Sequence, residues 1–242
     1  MISALSAERA RTDIEVLSRA GLGVDDFLNE SIATLGRIVP SVAVCVGMHD
    51  PVTDLLTSGR KFGDLVGRNT GDPLWGMLEY GGAETTVFGA IARSATPALG
   101  MHAAGKDAPG SSVRMDQLIR PMFDYGDELR LAFRDDAGLW GGAALFRGFD
   151  DPPFAEAEVA WAAGLSDAFA RGIRVGILTQ LASEVRIDTA VNGPAVVVID
   201  GKDEIVRMSV GAQQRLLQLG SSIDATDPIG TVYALVTAAR RV

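Results

Sequence analysis

The sequence predicts an α+β architecture: an antiparallel sheet flanked by helices, then a long connector helix and a smaller segment of strands and helix. Three observations carry this reading. Strand-period runs come as neighbouring pairs joined by turn residues, which is the pattern of antiparallel pairing. Helix-period runs occupy both ends of the first 190 residues. The order of helices, strand pair, irregular stretch, hairpin and long helix keeps strands and helices in separate blocks.

Two helices are expected over residues 6–39. Ser6 is placed to cap the first, where Ala10, Ile14, Leu17 and Ala20 recur at helical spacing up to Gly21. Asp25 is placed to cap the second, which carries Leu28, Ile32, Leu35 and Val39 before Pro40 ends it. Val42–Met48 and Leu55–Lys61 read as paired strands around the turn residues Asp50, Pro51, Val52, Thr53 and Asp54. Gly, Pro, Asn and Asp punctuate residues 63–118, so short helices near 73–80 and 112–119 are expected among loops that shape a cleft. The clearest hairpin spans 127–147, with Leu129, Leu131 and Phe133 alternating with Arg130, Ala132 and Arg134 and Asp135, Asp136, Ala137 and Gly138 turning the chain. Its return strand holds Gly141, Gly142, Ala143 and Ala144, small residues that leave room above the sheet.

A single long helix is expected from about 152 to 187, opened by Asp151, Pro152 and Pro153. Trp161, Leu165, Phe169, Ile173, Ile177, Leu181 and Val185 follow at steps of four. Such a stripe drifts by about 40° per step around a straight helix, so its far end leaves its own domain. Ile177, Leu181 and Val185 are therefore the candidate interface of a homodimer. After Asn192, Gly193 and Pro194, strands are expected at 195–199 and 204–208, a helix at about 210–219 and another from Pro228 onward. The division expected is 1–180 and 190–242.

The balance of 22 Lys+Arg against 31 Asp+Glu gives a net charge of −9, which argues against direct nucleic-acid binding by this chain. No run has the eighteen or so apolar residues of a membrane span, and the charged first residues lack a secretory h-region, so a cytoplasmic location is expected. The single Cys45 excludes an internal disulfide, and with only His49 and His102 no metal site is expected. Neither G-x-S-x-G nor G-x-x-x-x-G-K-[ST] occurs, and no catalytic set is assigned. Asp127, Glu128 and Arg130 read as an ion pair at a sheet end, and Cys45 as a buried structural thiol. Trp75, Tyr80, His102, Tyr125 and Trp140 are the candidate ligand-binding residues, because aromatic walls with few polar groups suit a flat or apolar molecule.

The runs Tyr125–Phe133 (YGDELRLAF), Trp140–Arg147 (WGGAALFR) and Pro153–Glu158 (PFAEAE) resemble the second half of a GAF domain. With Gly172-Ile173-Arg174, Asp13–Leu22 and Asp50–Thr53, they resemble more narrowly the sensor region of actinobacterial LuxR-type helix-turn-helix regulators. Residues 194–219 resemble the first half of a PAS domain. The resemblance implies a sensory module of a transcription regulator, here without the DNA-binding part, that binds a small molecule or partner and relays it along the connector helix. It names no cofactor and leaves the ligand's identity open. The alternative is a ligand-independent dimerisation or protein-interaction module.

Overall fold

A computed structural model describes residues 3–102, 112–183, 195–202, 204–209, 211–212, 215–216 and 228–240. Helices α1 (Ala4–Leu17) and α2 (Val24–Gly36) lead into strands β1 (Ala43–His49) and β2 (Leu56–Gly63). Helices α3 (Asp72–Tyr80) and α4 (Phe88–Arg93), the short strand β3 (Ala98–Gly100) and a π-helical segment (Met115–Phe123) follow. The hairpin is β4 (Tyr125–Asp135) and β5 (Gly138–Gly148). Beyond it come α5 (Glu156–Ala163), α6 (Ser166–Ser183), a ribbon of β6 (Val197–Ile199) and β7 (Ile205–Met208), and α7 (Pro228–Arg240). Strands β2-β1-β5-β4-β3 form one antiparallel sheet in that order, so the expected α+β class with helices flanking a sheet holds.

Local chemistry accounts for the turns. Asp50 Oδ1 accepts from the Val52 and Thr53 backbone N–H groups and the Thr53 hydroxyl, and Asp54 adopts a left-handed φ of 60°. At the hairpin tip Gly138 has φ 131°, a conformation that favours glycine. Trp140 is the extra residue of a bulge, since Phe133 pairs with Gly141 but Arg134 with Leu139.

The sheet has two differently filled faces. On the first, Val44, Val46, Leu129, Leu131, Phe133, Ala143 and Leu145 pack under α1, α2, α5 and α6 in an apolar core. Phe169 stacks on Phe133 at 4.5 Å and meets Phe27 edge-on at 5.8 Å. Helices α2 and α6 approach closely because Gly172 faces the Phe27 ring and Gly176 faces Val24; a Cβ on Gly172 would lie 2.1 Å from Phe27 Cζ. On the second face, α3, α4 and the π-helical segment cover Ala43, Ala132, Ala144 and Phe146.

Two expectations need correction. Ser3, not Ser6, caps α1, accepting from Ser6 N–H at 3.1 Å, and Gly23 rather than Asp25 precedes α2. The single helix over 152–187 is instead α5 and α6, broken at Gly164-Leu165. The break has a partner: Arg11 Nη1 donates to the Gly164 carbonyl at 2.9 Å, and a Cβ on residue 164 would lie 2.5 Å from that nitrogen. Beyond the break Leu165, Phe169 and Ile173 follow at steps of four and are all fully buried. Ile177 is half-buried against its own core, Leu181 is exposed, and Val185 lies outside the described residues, as does most of the helix expected at 210–219.

Helix α7 lies along α3 and reaches β2. The contact is tight: a Cβ on Gly76 would sit 2.7 Å from Ala234 Cβ, and Ala234 is fully buried. Arg240 Nη2 donates to the Asp200 carbonyl at 2.6 Å, tying α7 to the ribbon turn. No helix among the described residues is long and apolar enough to cross a membrane.

Replacing Gly172 by Ala forces α2 and α6 apart. Urea denaturation is expected to show a loss of about 1–3 kcal/mol, the usual cost of overpacking. An unchanged midpoint would contradict the close helix crossing.

Candidate functional site

Strand register lines up side chains in rows on the second face. One row runs Lys61, Cys45, Ala144, Arg130, Leu99, and the next runs Gly59, Gly47, Gly142, Ala132. The middle of both rows is therefore small, with a cation at either side of the first. Phe88 fills part of this trough; a Cβ on Gly142 would meet its ring at 2.3 Å. Cys45 remains half-buried although β2 and β5 flank it and α3 covers this face, and Trp75, Glu79, Leu99 and Met101 around it are also only half-buried. These side chains border the region between α3 and the sheet over Cys45, the chamber of the site, and Ala144 beneath it is fully buried.

The chamber wall is charged. Arg114 and Arg130 are both fully buried, as is Glu128 between them. Arg114 Nε donates to both Glu128 oxygens at 3.2 and 3.1 Å, and its Nη2 to Oε2 at 2.8 Å. Arg130 Nη2 donates to Glu79 Oε2 at 2.7 Å, and its guanidinium lies 3.7 Å from the centre of the Phe88 ring. Glu79 also accepts from the Phe88 N–H at 2.5 Å, which pins α4 to α3. Glu84 accepts from the Ser112 hydroxyl at 2.6 Å, the Arg114 N–H at 3.0 Å, and Thr86 through its N–H and hydroxyl. Burial would raise the Glu84 carboxyl, but these bonds and the Arg114 charge outweigh it and hold the group at about 2. Glu79 is likewise held below its ordinary value by Arg130, Arg114 and the Phe88 N–H despite burial.

Among the described residues, three guanidinium nitrogens in this wall take no hydrogen bond: Arg114 Nη1, Arg130 Nε and Arg130 Nη1. Arg130 Nη1 stands 3.6 Å from Glu128 Oε1, and Arg114 Nη1 stands 3.6 Å from Glu84 Oε2, close enough for charge attraction only. Leaving a buried donor unsatisfied costs about 1–3 kcal/mol, more for a charged group. At the far side, Lys61 is satisfied by the Arg68 carbonyl, Asn69 Oδ1 and Asp72 Oδ1 at 2.8, 2.7 and 2.6 Å, which staples the loop before α3 to β2.

The five aromatic and histidine candidates do not converge. Trp75 and Tyr125 share an aromatic group with Phe123 and Phe146; Tyr125 stacks on Phe146 at 5.1 Å, and Trp75 meets it edge-on at 5.8 Å. The Tyr80 hydroxyl accepts from Leu56 N–H at 2.6 Å and donates to the Asp54 carbonyl at 3.2 Å, clamping the β1–β2 turn. His102 is exposed, with its backbone N–H on Asp127. Trp140 packs with the first-face core and donates to Asp135 Oδ1 at 2.8 Å. Glu128 and Arg130, read as a sheet-end pair, lie in the chamber wall, whereas Asp127 accepts from Phe154 N–H on the other side. Sequence reasoning passed over Glu79, Glu84, Lys61 and Arg114; the available signal was Glu128 and Arg130 two apart on a strand, hence on one buried face. A separate open groove of about 790 Å³ lies between α1, α5 and the loop before β1, lined by Ala7, Ile38, Pro40, Val42 and Trp161, and there each Arg147 guanidinium nitrogen is already engaged.

No family model matches this chain, and no curated protein matches it. Solved structures similar to it are GAF domains. That of a phosphoenolpyruvate-protein phosphotransferase from Coxiella burnetii is 14% identical, with a TM-score of 0.46 over 74% of this chain and 99% of that one. A GAF domain/HD domain protein from Geobacter sulfurreducens is 19% identical, with a TM-score of 0.40 over 67% and 97%. The phycoerythrobilin-bound GAF domain of a cyanobacterial phytochrome is 13% identical, with a TM-score of 0.45 over 72% and 97%.

Two titrations follow from the site. His49 is buried edge-on to Phe88 at 6.0 Å, and burial lowers it from its ordinary 6.5 despite nearby Glu79. The folded protein therefore holds it neutral where the unfolded chain takes up a proton. Stability is expected to be level above pH 6.5 and to fall as pH drops below it, by at most about 1.4 kcal/mol per pH unit. Denaturation midpoints of His49→Phe should lack that slope; a slope that persists would assign it elsewhere. Burial also pushes the Cys45 thiol up to about 12. In mildly alkaline buffer, its reaction with a disulfide reagent should be at least about a hundredfold slower in the folded protein than in urea. Comparable rates would show a thiolate that this site does not provide.

Proposed function

We propose that this chain is the sensory module of a LuxR-type transcription regulator, with a small molecule held in the chamber between α3 and the sheet. The observation that carries this reading is the set of buried arginine nitrogens without hydrogen-bond partners among the described residues, in the layer that covers the half-buried Cys45. The GAF-like arrangement of the sheet and its helices and the sequence resemblance support it. Its role is binding rather than catalysis: the thiol is held at about 12 and the one buried histidine is held neutral against an aromatic ring. A cytoplasmic location belongs to the same proposal. So does DNA contact through a segment other than this acidic one.

Signalling requires that the ligand bind two arrangements unequally. Helix α3 is the element best connected to do this. Its inner side carries Trp75 and Glu79 to the chamber, and its outer side meets α7 at Gly76. Helix α6 leaves the first face with Leu178 and Leu181 about 60% exposed, a surface suited to a second copy of the chain. Those two leucines favour the second reading, a dimerisation module that needs no ligand.

Native mass spectrometry of freshly purified protein separates the two. A mass above that of the denatured chain, lost on denaturation, is expected for the sensor. A dimer with no extra mass would favour the dimerisation module.

A further inference from the structure

We propose that α3 works as a lever that couples the docking of α7 to the charge layer on the sheet, so that the C-terminal segment reports whether that layer is engaged. The coupling is a property of the fold and stands whatever the second face binds. The near end of α3 is pinned: Lys61 on β2 holds Asp72 Oδ1 at 2.6 Å, together with Asn69 Oδ1 and the Arg68 carbonyl. The far end lies about 10 Å further along the helix axis. There Glu79 accepts from Arg130 Nη2 at 2.7 Å and from the Phe88 N–H at 2.5 Å, and the Tyr80 hydroxyl accepts from the Leu56 N–H at 2.6 Å. Gly81 and Gly82 follow at once, Gly82 with a left-handed φ of 82°, so the chain past the far end is free to bend.

Helix α7 bears on the middle of this lever. Gly76 lies about 100° around α3 from Trp75, and a Cβ there would stand 2.7 Å from Ala234 Cβ and 3.0 Å from its Cα. The two backbones are thus in contact, with no side chain between them to absorb a shift. Helix α3 meets the sheet differently, through the long side chains of Trp75 against Phe146 and of Glu79 on Arg130. A displacement of α7 therefore passes directly to the α3 backbone, and it is felt at the hydrogen bonds of the far end. Helix α7 is also lightly held: of its described side chains only Ala234 is buried, and Leu235 is 38% exposed. Elements with few buried apolar contacts are the ones that open locally. Arg240 Nη2 on the Asp200 carbonyl carries the same movement to the ribbon of β6 and β7. Such coupling is reciprocal, so releasing Glu79 must loosen α7 as much as displacing α7 loosens Glu79.

Amide hydrogen exchange of the full chain tests the lever. Gly76→Val wedges α7 away from α3. The Phe88 and Leu56 amides, held at the far end by Glu79 and Tyr80, are then expected to exchange at least about tenfold faster, while the Phe133 and Leu145 amides of the first-face strands keep their rates. Ala234→Lys repeats the test from the α7 side with α3 intact and should speed the same two amides. In the opposite direction, Glu79→Gln removes the charge at the far end and should speed the amides at 234–237 by a similar factor. Faster amides at 234–237 in Ala234→Lys beside an unchanged Phe88 amide would overturn the coupling, as would an α7 indifferent to Glu79→Gln. A uniform rise that includes Phe133 and Leu145 in all three variants would also overturn it, because the contact would then serve the stability of the whole domain.

Discussion

Burying Arg114 and Arg130 between the sheet and its cover obliges the surrounding chain to bring carboxylates to them, and the upper layer is arranged to do so. Guanidinium groups stay charged at any pH at which the protein folds. Glu79 comes from α3, Glu84 from the loop before α4, and Glu128 from β4; hydrogen bonds as well as charge hold Glu79 and Glu84 below the ordinary carboxylate range, and Glu128 accepts from Arg114. The same contacts fix the backbone: the Phe88 N–H is bound by Glu79, and the Arg114 N–H by Glu84. Removing either arginine would strand buried carboxylates, so the cover and the charge network stand or fall together.

The contrast between the two faces explains how one domain can be both firm and receptive. On the first face, aromatic and branched side chains fill the volume under α2 and α6, and glycines at 172 and 176 bring the helices into contact. On the second, the rows centred on Cys45, Ala144, Gly47 and Gly142 are too small to reach the cover. Phe88 fills one row. The other is bounded by Lys61 and Arg130, with Cys45 half-buried and Ala144 fully buried between them.

Strand pairs, the hairpin turn at Asp135–Gly138 and the small residues of β5 were legible in the sequence, because alternation and turn chemistry are local properties. The break at Gly164 was not, since it depends on Arg11 lying more than a hundred residues away in sequence. Helix α4 and strand β3 were hidden for a related reason: six and three residues are too short to show a period. Of the site, aromatic residues drew attention by type, and Trp75 and Tyr125 do sit together. The charge cluster went unread because its members come from four separate elements, and charged residues are ordinarily solvated. Trp140, as the bulge residue, packs with the first-face core, on the other side of the sheet from Trp75.

A high-resolution crystal structure of the protein as purified is the most direct measurement of the central claim, that the layer between α3 and the sheet over Cys45 holds a guest. The account predicts density for a non-protein molecule or ordered water within hydrogen-bond distance of Arg130 Nε and Arg114 Nη1. Those nitrogens bonded to the protein's own oxygens, with no guest beside Cys45, would contradict it.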